Sequence, residues 1–379
     1  MAKHVKKKPI PRGVIAGSIA TAAVAVIAVV CVVLTQTGVI ASLAGLFRKP
    51  DLVESSSLPP ADSSSAPGAS EPEPDPEPVF RRPDTLSGVR LTAGVDYMTG
   101  SKLDGQTVRQ QIDAALDAVK DWNFNTLLLP VAAGGKVFFD TAAMDKTALQ
   151  DADGTDFDPL AYLLESARAA GLYVYGVLDL RVGEGWDPAR AEDTEKMRTL
   201  AADAAAQYAF DGWLIEGYGY PLRVQADEEA FAAAGNGRTM AQFMEDSVTA
   251  AVRGAVSALR GENRARYVGL FASAVWAHKR VDERGSATDG IYEDYTDGRA
   301  NTLAWLDEDL FDFVMVNDNL STSHATATFG AVLDWWSAIC TARSLPYYVC
   351  HAVDRVAAKE AGWGGDQIAE QYLACKQAA

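Results

Sequence analysis

Histidine and cysteine are both scarce in this chain of 379 residues, with four of each. The histidines form no H-x-x-x-H or H-E-x-x-H pattern, and the cysteines have no metal-ligand spacing, so neither residue type points to a metal site. Cys31 lies in an apolar run, and Cys340, Cys350 and Cys375 read as core thiols. Basic residues are also in deficit. Lys and Arg number 34 against 51 Asp and Glu, a net charge of −17. That balance argues against a nucleic-acid partner, because phosphate contacts require clustered Lys and Arg. No G-x-G-x-x-G follows the first apolar strand, and no G-x-x-x-x-G-K-[ST] occurs. Nucleotide-cradling loops therefore have no candidate, and the sequence calls for no cofactor. The "AAGGK" at 132–136 reads as a turn.

The charge that is present is unevenly spread. "MAKHVKKKPIPR" is basic, and the 21 residues from Val14 to Leu34 carry no charge. A helix of that length spans about 31 Å, close to the roughly 30 Å of a bilayer core. The lysines lie before the span, which places the N-terminus in the cytoplasm and the remainder outside. The expectation is a cytoplasmic tail at 1–13 and an uncleaved transmembrane signal anchor at 14–36. A cleaved signal peptide has a shorter apolar core, about 7–15 residues. Residues 49–86, rich in Pro, Ser and Glu, show no apolar periodicity and read as a disordered linker.

From residue 87 to 379 the pattern changes to alternating apolar strands and amphipathic helices. "GVRLTAGVDYM", "TLLLPVA", "LYVYGVLDL", "DGWLIEGY", "YVGLFASAVW", "FDFVMVN" and "YYVCHAV" read as seven strands. Between the first two, Val108, Ile112, Leu116 and Val119 mark one helical face. Asp158 followed by Pro159 marks a helix start. Strands apolar on both faces and separated by helices imply a parallel sheet. The length favours an α/β fold of the (β/α)8 TIM-type barrel over a doubly wound sheet. The eighth strand of such a barrel has no visible counterpart before the chain stops at "ACKQAA".

A barrel carries its chemistry at the C-terminal ends of its strands. The polar and aromatic residues expected there are Asp96, Tyr97, Asp179, Arg181, Glu216, Tyr218, Tyr220, Trp276, Asn317, Asp318 and His351. Glu216 stands out, since "YAFDGWLIEGYGYP" sets one carboxylate at the end of an apolar strand. A carboxylate there is costly unless it is paired, so it is either functional or tied to an Arg or Tyr of a neighbouring strand. An apolar setting raises a carboxyl pKa, which suits a general acid. A second carboxylate for acid–base chemistry would come from Asp96, Asp179 or Asp318, with Asp179, on the neighbouring strand, favoured.

The ordered series "SGVRLTAGVDY", "NFNTLLLPV", "FDPLAYLLESARAAG", "YAFDGWLIEGYGYP", "VGLFASAVW" and "WLDEDLFDFVMVN", followed by Trp335, Trp336, Trp363 and Gln367, resembles the glycosyl hydrolase-like 10 family of bacterial cell-surface barrels. The resemblance covers almost all of residues 87–376. It implies a (β/α)8-type barrel that hydrolyses glycosidic bonds, with peptidoglycan or a surface glycan as the partner. Glu216 stands at the first Asp of the family's Asp-Asp pair, and Gly217 replaces the second. Phe271 and Ala272 replace a Ser-Pro pair, and Asn317 stands in place of a Gln. With fewer polar positions, the alternative is a non-catalytic carbohydrate-binding or scaffold barrel.

Overall fold

A computed structural model describes residues 82–378, apart from 102, 184, 222–223 and 262–266. The cytoplasmic tail, the anchor and the linker up to residue 81 lie outside the described residues. Among the described residues no helix is long and apolar enough to cross a membrane.

The main sheet is parallel and seven-stranded, and its strands neighbour one another in chain order. They are β1 (Gly88–Arg90), β2 (Thr126–Pro130), β5 (Tyr173–Asp179), β6 (Gly212–Glu216), β7 (Val268–Ser273), β8 (Phe313–Asn317) and β9 (Tyr347–Cys350). Two short strands, β3 (Ala132–Ala133) and β4 (Lys136–Val137), form an antiparallel hairpin over "AAGGK". Gly134 and Gly135 both have positive φ, as a two-residue hairpin turn requires. Helices α1 (Gly105–Asp121), α2 (Pro159–Ala169), α3 (Ala191–Gln207), α4 (Val224–Ala234), α5 (Met240–Arg260), α6 (Thr302–Asp307) and α7 (Phe329–Thr341) connect the strands. α8 (Val353–Ala357) and α9 (Gly365–Ala378) follow β9. A doubly wound sheet reverses its strand order at a switch point. This one does not, and it winds in one direction as a barrel does.

The predicted helical face of α1 is the buried one, with Val108, Ile112, Leu116 and Val119 inside. Asp158 caps α2, its Oδ1 accepting from the amides of Leu160 and Ala161 at 2.9 and 3.0 Å. The first strand is shorter than the sequence suggests. After Arg90 the chain turns, with the amides of Val95 and Asp96 donating to Thr92 O, and Met98 takes a positive φ. β1 has β2 on one side only, so little holds the extended run beyond residue 90. The last strand ends at Cys350, and "HAV" leads into α8.

Two cores follow from the period of two along each strand. Leu127, Leu129, Val174, Leu178, Ile215, Leu270, Val314 and Val316 face the helices. Leu128, Tyr175, Val177, Leu214, Tyr267, Phe313 and Met315 face the opposite way and form one separate cluster with Leu86, Phe271, Tyr348 and Cys350. Side chains from one face of a sheet meet in this way only if the sheet curls round them. Tyr267 stacks on Phe313 at 4.5 Å between ring centroids, and Tyr348 meets Phe313 edge-on at 5.8 Å. Glycines make room for the rings: a Cβ on Gly269 would lie 2.2 Å from the Phe313 ring, and one on Gly212 2.2 Å from Tyr175. Arg82 sets its guanidinium 5.9 Å from the Tyr267 centroid, so the entering chain covers the lower end of this inner core. The result is an open, curled half-barrel, resembling a TIM barrel, in which β1 and β9 are both edges.

Candidate active site at the strand ends

The alternation that points Tyr175 and Val177 inward also points Asp179 inward, and with Leu214 it does the same for Glu216. The register pairs Asp179 with Glu216 on adjacent strands. Ser273, Asn317 and Cys350 are register partners of one another on β7, β8 and β9 and face inward as well, one inward step beyond Phe271, which stands level with Glu216. The mouth of the half-barrel is therefore lined by Arg90, Asp179, Glu216, Ser273, Asn317 and Cys350.

Four charges meet there in two pairs. Arg90 reaches across β2 and β5 to Glu216, donating from Nη1 to Oε2 at 2.7 Å and from Nη2 to Oε1 at 2.8 Å. The Glu216 side chain is 13% exposed and that of Arg90 38%. Asp179 accepts at Oδ1 from the amide and Nε of Arg181, both 2.9 Å, and at Oδ2 from Nη2 at 2.7 Å. Each arginine also feels the carboxylate of the other pair. Gly217 has a φ of +68°, and a Cβ there would fall 1.9 Å from Asp179 Oδ1. A second carboxylate at position 217 would thus displace Asp179, which accounts for glycine at this position in this chain.

Behind the mouth lies Asp294, 1% exposed, in the long connection between β7 and α6. Tyr218 Oη donates to its Oδ2 at 2.8 Å and Ser273 Oγ to its Oδ1 at 2.7 Å. Burial pushes the Asp294 carboxyl up to about 7, against the pull of those two hydrogen bonds. Asp294 thus holds a proton close to neutrality and ties the end of β7 to the segment just after β6.

The other expected site residues are distributed differently. Tyr97 and Trp276 are fully buried, and Tyr218 and Tyr220 nearly so. Trp276 stacks on Trp335 at 6.0 Å, and Tyr220 donates to Asp227 at 3.0 Å. None of these four rings offers a free face to solvent. Asp96 accepts from the Thr92 amide at 2.7 Å and shapes the turn after β1. Asn317 is half-buried at the mouth. Asp318 and His351 each follow an inward residue, so both point outward, away from the mouth. Asp318 is fully buried; among the described residues no side chain donates to its carboxyl oxygens and only the Leu320 amide approaches them, and burial pushes it up to about 8. His351 stacks on Phe329 and pairs through Nδ1 with Gln371 Oε1 at 3.0 Å, and burial lowers its pKa. The thiols of Cys340, Cys350 and Cys375 are free, and burial holds all three far above neutrality, at about 12, 11 and 11. They are protonated and poor nucleophiles.

Sequence reasoning missed Arg90, Ser273, Tyr292 and Asp294. Arg90 carried a signal, as the single charge in the apolar "SGVRLTAG". Asp294 and Tyr292 lie in "DGIYEDYTDG", which has no periodicity to read.

No family model and no curated protein matches the chain. The resemblance to the glycosyl hydrolase-like 10 family therefore rests on the motifs alone. Solved structures similar to the chain are glycoside hydrolases. An endo-beta-1,4-mannanase from Thermotoga petrophila is 14% identical, over 69% of this chain and 59% of that one, with a TM-score of 0.43. A glycoside hydrolase family 5 protein from Bacteroides vulgatus is 11% identical, over 71% and 52%, at 0.41. The catalytic domain of a beta-amylase from Paenibacillus polymyxa is 9% identical, over 77% and 89%, at 0.46. The chain spans about half to three-fifths of the length of the first two. The account of the fold and the site stands on the geometry above rather than on these likenesses.

Proposed function

We propose that the chain is a glycoside hydrolase acting on peptidoglycan or another surface glycan, with Asp179 and Glu216 as its carboxylate pair. The observation that carries this reading is their register pairing on adjacent strands, both inward, at the mouth. Adjacent strands lie about 4.8 Å apart. Carboxyl groups on neighbouring positions are what a glycosidase needs, at about 5–5.5 Å for retention or about 6.5–9.5 Å for inversion, and our reading takes the closer, retaining case.

The two arginines divide the roles. Both carboxylates accept from arginine at both oxygens, Glu216 from Arg90 and Asp179 from Arg181, so the roles divide on which pair opens more easily. Glu216 is accordingly the anion that attacks the anomeric carbon as the glycosidic C–O bond breaks. Asp179 is the proton carrier. Its partner Arg181 is the more exposed arginine, 59% against 38%, and an exposed pair is the weaker and easier to open. Asp179 protonates the leaving oxygen, then takes a proton from the water that releases Glu216. This exchanges the roles suggested by the apolar setting of Glu216 in the sequence. The anchor at 14–36 and the linker would hold the barrel outside the cell, where such a glycan is reachable.

A second reading, a non-catalytic glycan-binding barrel, is favoured by the occupation of both carboxylates by arginine. Incubation of the full chain with insoluble peptidoglycan, followed by sedimentation and a reducing-end assay, separates the two. Hydrolysis gives new reducing ends that fall at least about 1,000-fold in Glu216→Gln. Sedimentation with the glycan but no new ends establishes the binding barrel, and neither result leaves no glycan function for the mouth.

A further inference from the structure

Two large aromatic residues among those described are exposed, Trp122 and Tyr292. Trp122 caps the C-terminus of α1, which leads into the start of β2, at the end of the sheet opposite the mouth. Tyr292 lies at the mouth. Its hydroxyl sits beside Gly219 and Gly298, at 2.8 and 2.3 Å from where their Cβ atoms would be. Gly219 follows Glu216 by three residues, and the amide of Tyr220 donates to Gly298 O at 2.7 Å, closing the two loops on each other. The two glycines thus form a slot that takes the phenol end, and any side chain at either would expel it. Tyr292 is nevertheless 50% exposed. With its hydroxyl end seated against the two glycines, half of the residue stays open to solvent. Arg181 lies near enough for its charge to act on the phenol.

A seated hydroxyl end fixes the ring with little side-chain freedom left to lose, which favours binding at the exposed half. Aromatic faces carry negative quadrupole density and attract the C–H-rich face of a pyranose. Beside it, the Asp179–Arg181 pair presents a donor and acceptors side by side. Arg181 Nη1 makes no hydrogen bond among the described residues, and Asp179 retains acceptor capacity. A vicinal diol needs one donor and one acceptor at adjacent positions, and this pair supplies both. The quartet Arg90, Glu216, Asp179 and Arg181 is neutral in sum, in a strongly acidic chain, so it does not select an anionic sugar.

We infer that Tyr292 is the stacking platform of a subsite for a neutral sugar ring, whose vicinal hydroxyls are read by Asp179 and Arg181. The inference rests on the glycan reading of the mouth. Its test is calorimetric titration of the full chain with cellohexaose, mannohexaose and chitohexaose, wild type beside Tyr292→Ala and Tyr292→Phe. At least one probe binds the wild type; Tyr292→Ala weakens that binding about tenfold, and Tyr292→Phe, which keeps the ring, stays within about twofold. If the probe is cleaved, KM rises in Tyr292→Ala while kcat is held. Circular dichroism and the melting temperature of Tyr292→Ala check that the slot has not collapsed. If Tyr292→Ala binds as the wild type does while Glu216→Gln or Arg181→Ala is impaired, the platform is wrong and the glycan reading stands. If no probe binds the wild type, the neutral-sugar subsite is wrong, and binding to insoluble peptidoglycan then decides the fate of the broader reading. If Tyr292→Phe loses as much as Tyr292→Ala, the hydroxyl and not the ring matters, and the platform is overturned.

Discussion

The central strands and the edge strands of this sheet share a chemistry and differ in fate. β6 is buried along Gly212–Ile215, while β9, with "YYVC", is half-buried throughout, and β1 ends exposed at Arg90. Both kinds contribute rings to one inner core. Phe313 on β8 is fully buried and Tyr348 on β9 only partly so, although the two touch. The difference is the number of strand neighbours, not residue type. A strand with one neighbour leaves a row of backbone groups and one side of each side chain uncovered.

The largest expected loss of stability tests that difference directly. Phe313→Ala should destabilise the fold by about 3–5 kcal/mol, the usual cost of deleting a buried aromatic ring. Tyr348→Ala should cost about half as much or less, because the edge has less to lose and more room to relax. Urea titration of both variants measures the gap, and equal losses would mean that the edge is covered in solution.

A second contrast sets two buried acids against each other. Asp294, between two central strands, accepts from Tyr218 and Ser273; Asp318, beside the edge strand, accepts from no side chain among the described residues. Both pKa values are raised, to about 7 and about 8. Below pH 4 each carboxyl is protonated in the folded and unfolded chain alike. As the pH rises through 4–8 the unfolded chain loses these protons while the folded one keeps them, so stability falls and levels off above about 8. Asp318→Asn should remove the Asp318 share of that fall, which accumulates from about pH 4 to about pH 8, on the order of 5 kcal/mol at pH 9 and about 1 kcal/mol at pH 5. Asp294→Asn, an isostere of the protonated carboxyl that the fold holds at pH 5, should change stability there by less than about 1 kcal/mol and recover the Asp294 share of the fall by pH 9. Denaturation series at pH 5, 7 and 9 report both. A pH-independent Asp318→Asn difference would remove Asp318 as the titrating group.

The smallest effect is local. Amide hydrogens of β1 and β9 should exchange faster than those of β6 without any change in global stability, because edge strands open alone. Protection of β9 matching that of β6 would show that another segment pairs with it.

The strand positions, the face of α1 and the Asp158 cap were legible because each is a local pattern. The candidate site was legible only in part. Glu216 and Asp179 were visible as polar ends of apolar runs, and the period of two that turns them inward also excludes Asp318 and His351, had it been counted from Met315 and Tyr348. Tyr218, Tyr220 and Trp276 looked like sugar platforms because an aromatic residue at a strand end reads the same whether its ring is open or covered. Tyr218 is covered by the 274–300 connection, which is aperiodic and is held by contacts such as Tyr218 to Asp294, 76 residues apart, and Trp276, within that connection, is covered by Trp335.

By itself the sequence determined a parallel α/β unit with strands in a fixed alternation, and hence which carboxylates share a face. Periodicity and capping act over a few residues, and any such chain must bury its apolar stripes in that way. Only the tertiary structure decided how far the sheet curls. That curl brings Arg90 to Glu216 across 126 residues, sets Tyr292 within range of the Arg181 charge, and makes glycine the residue that fits at 217. Such contacts depend on the sum of many side-chain volumes in the inner core, which no local pattern encodes.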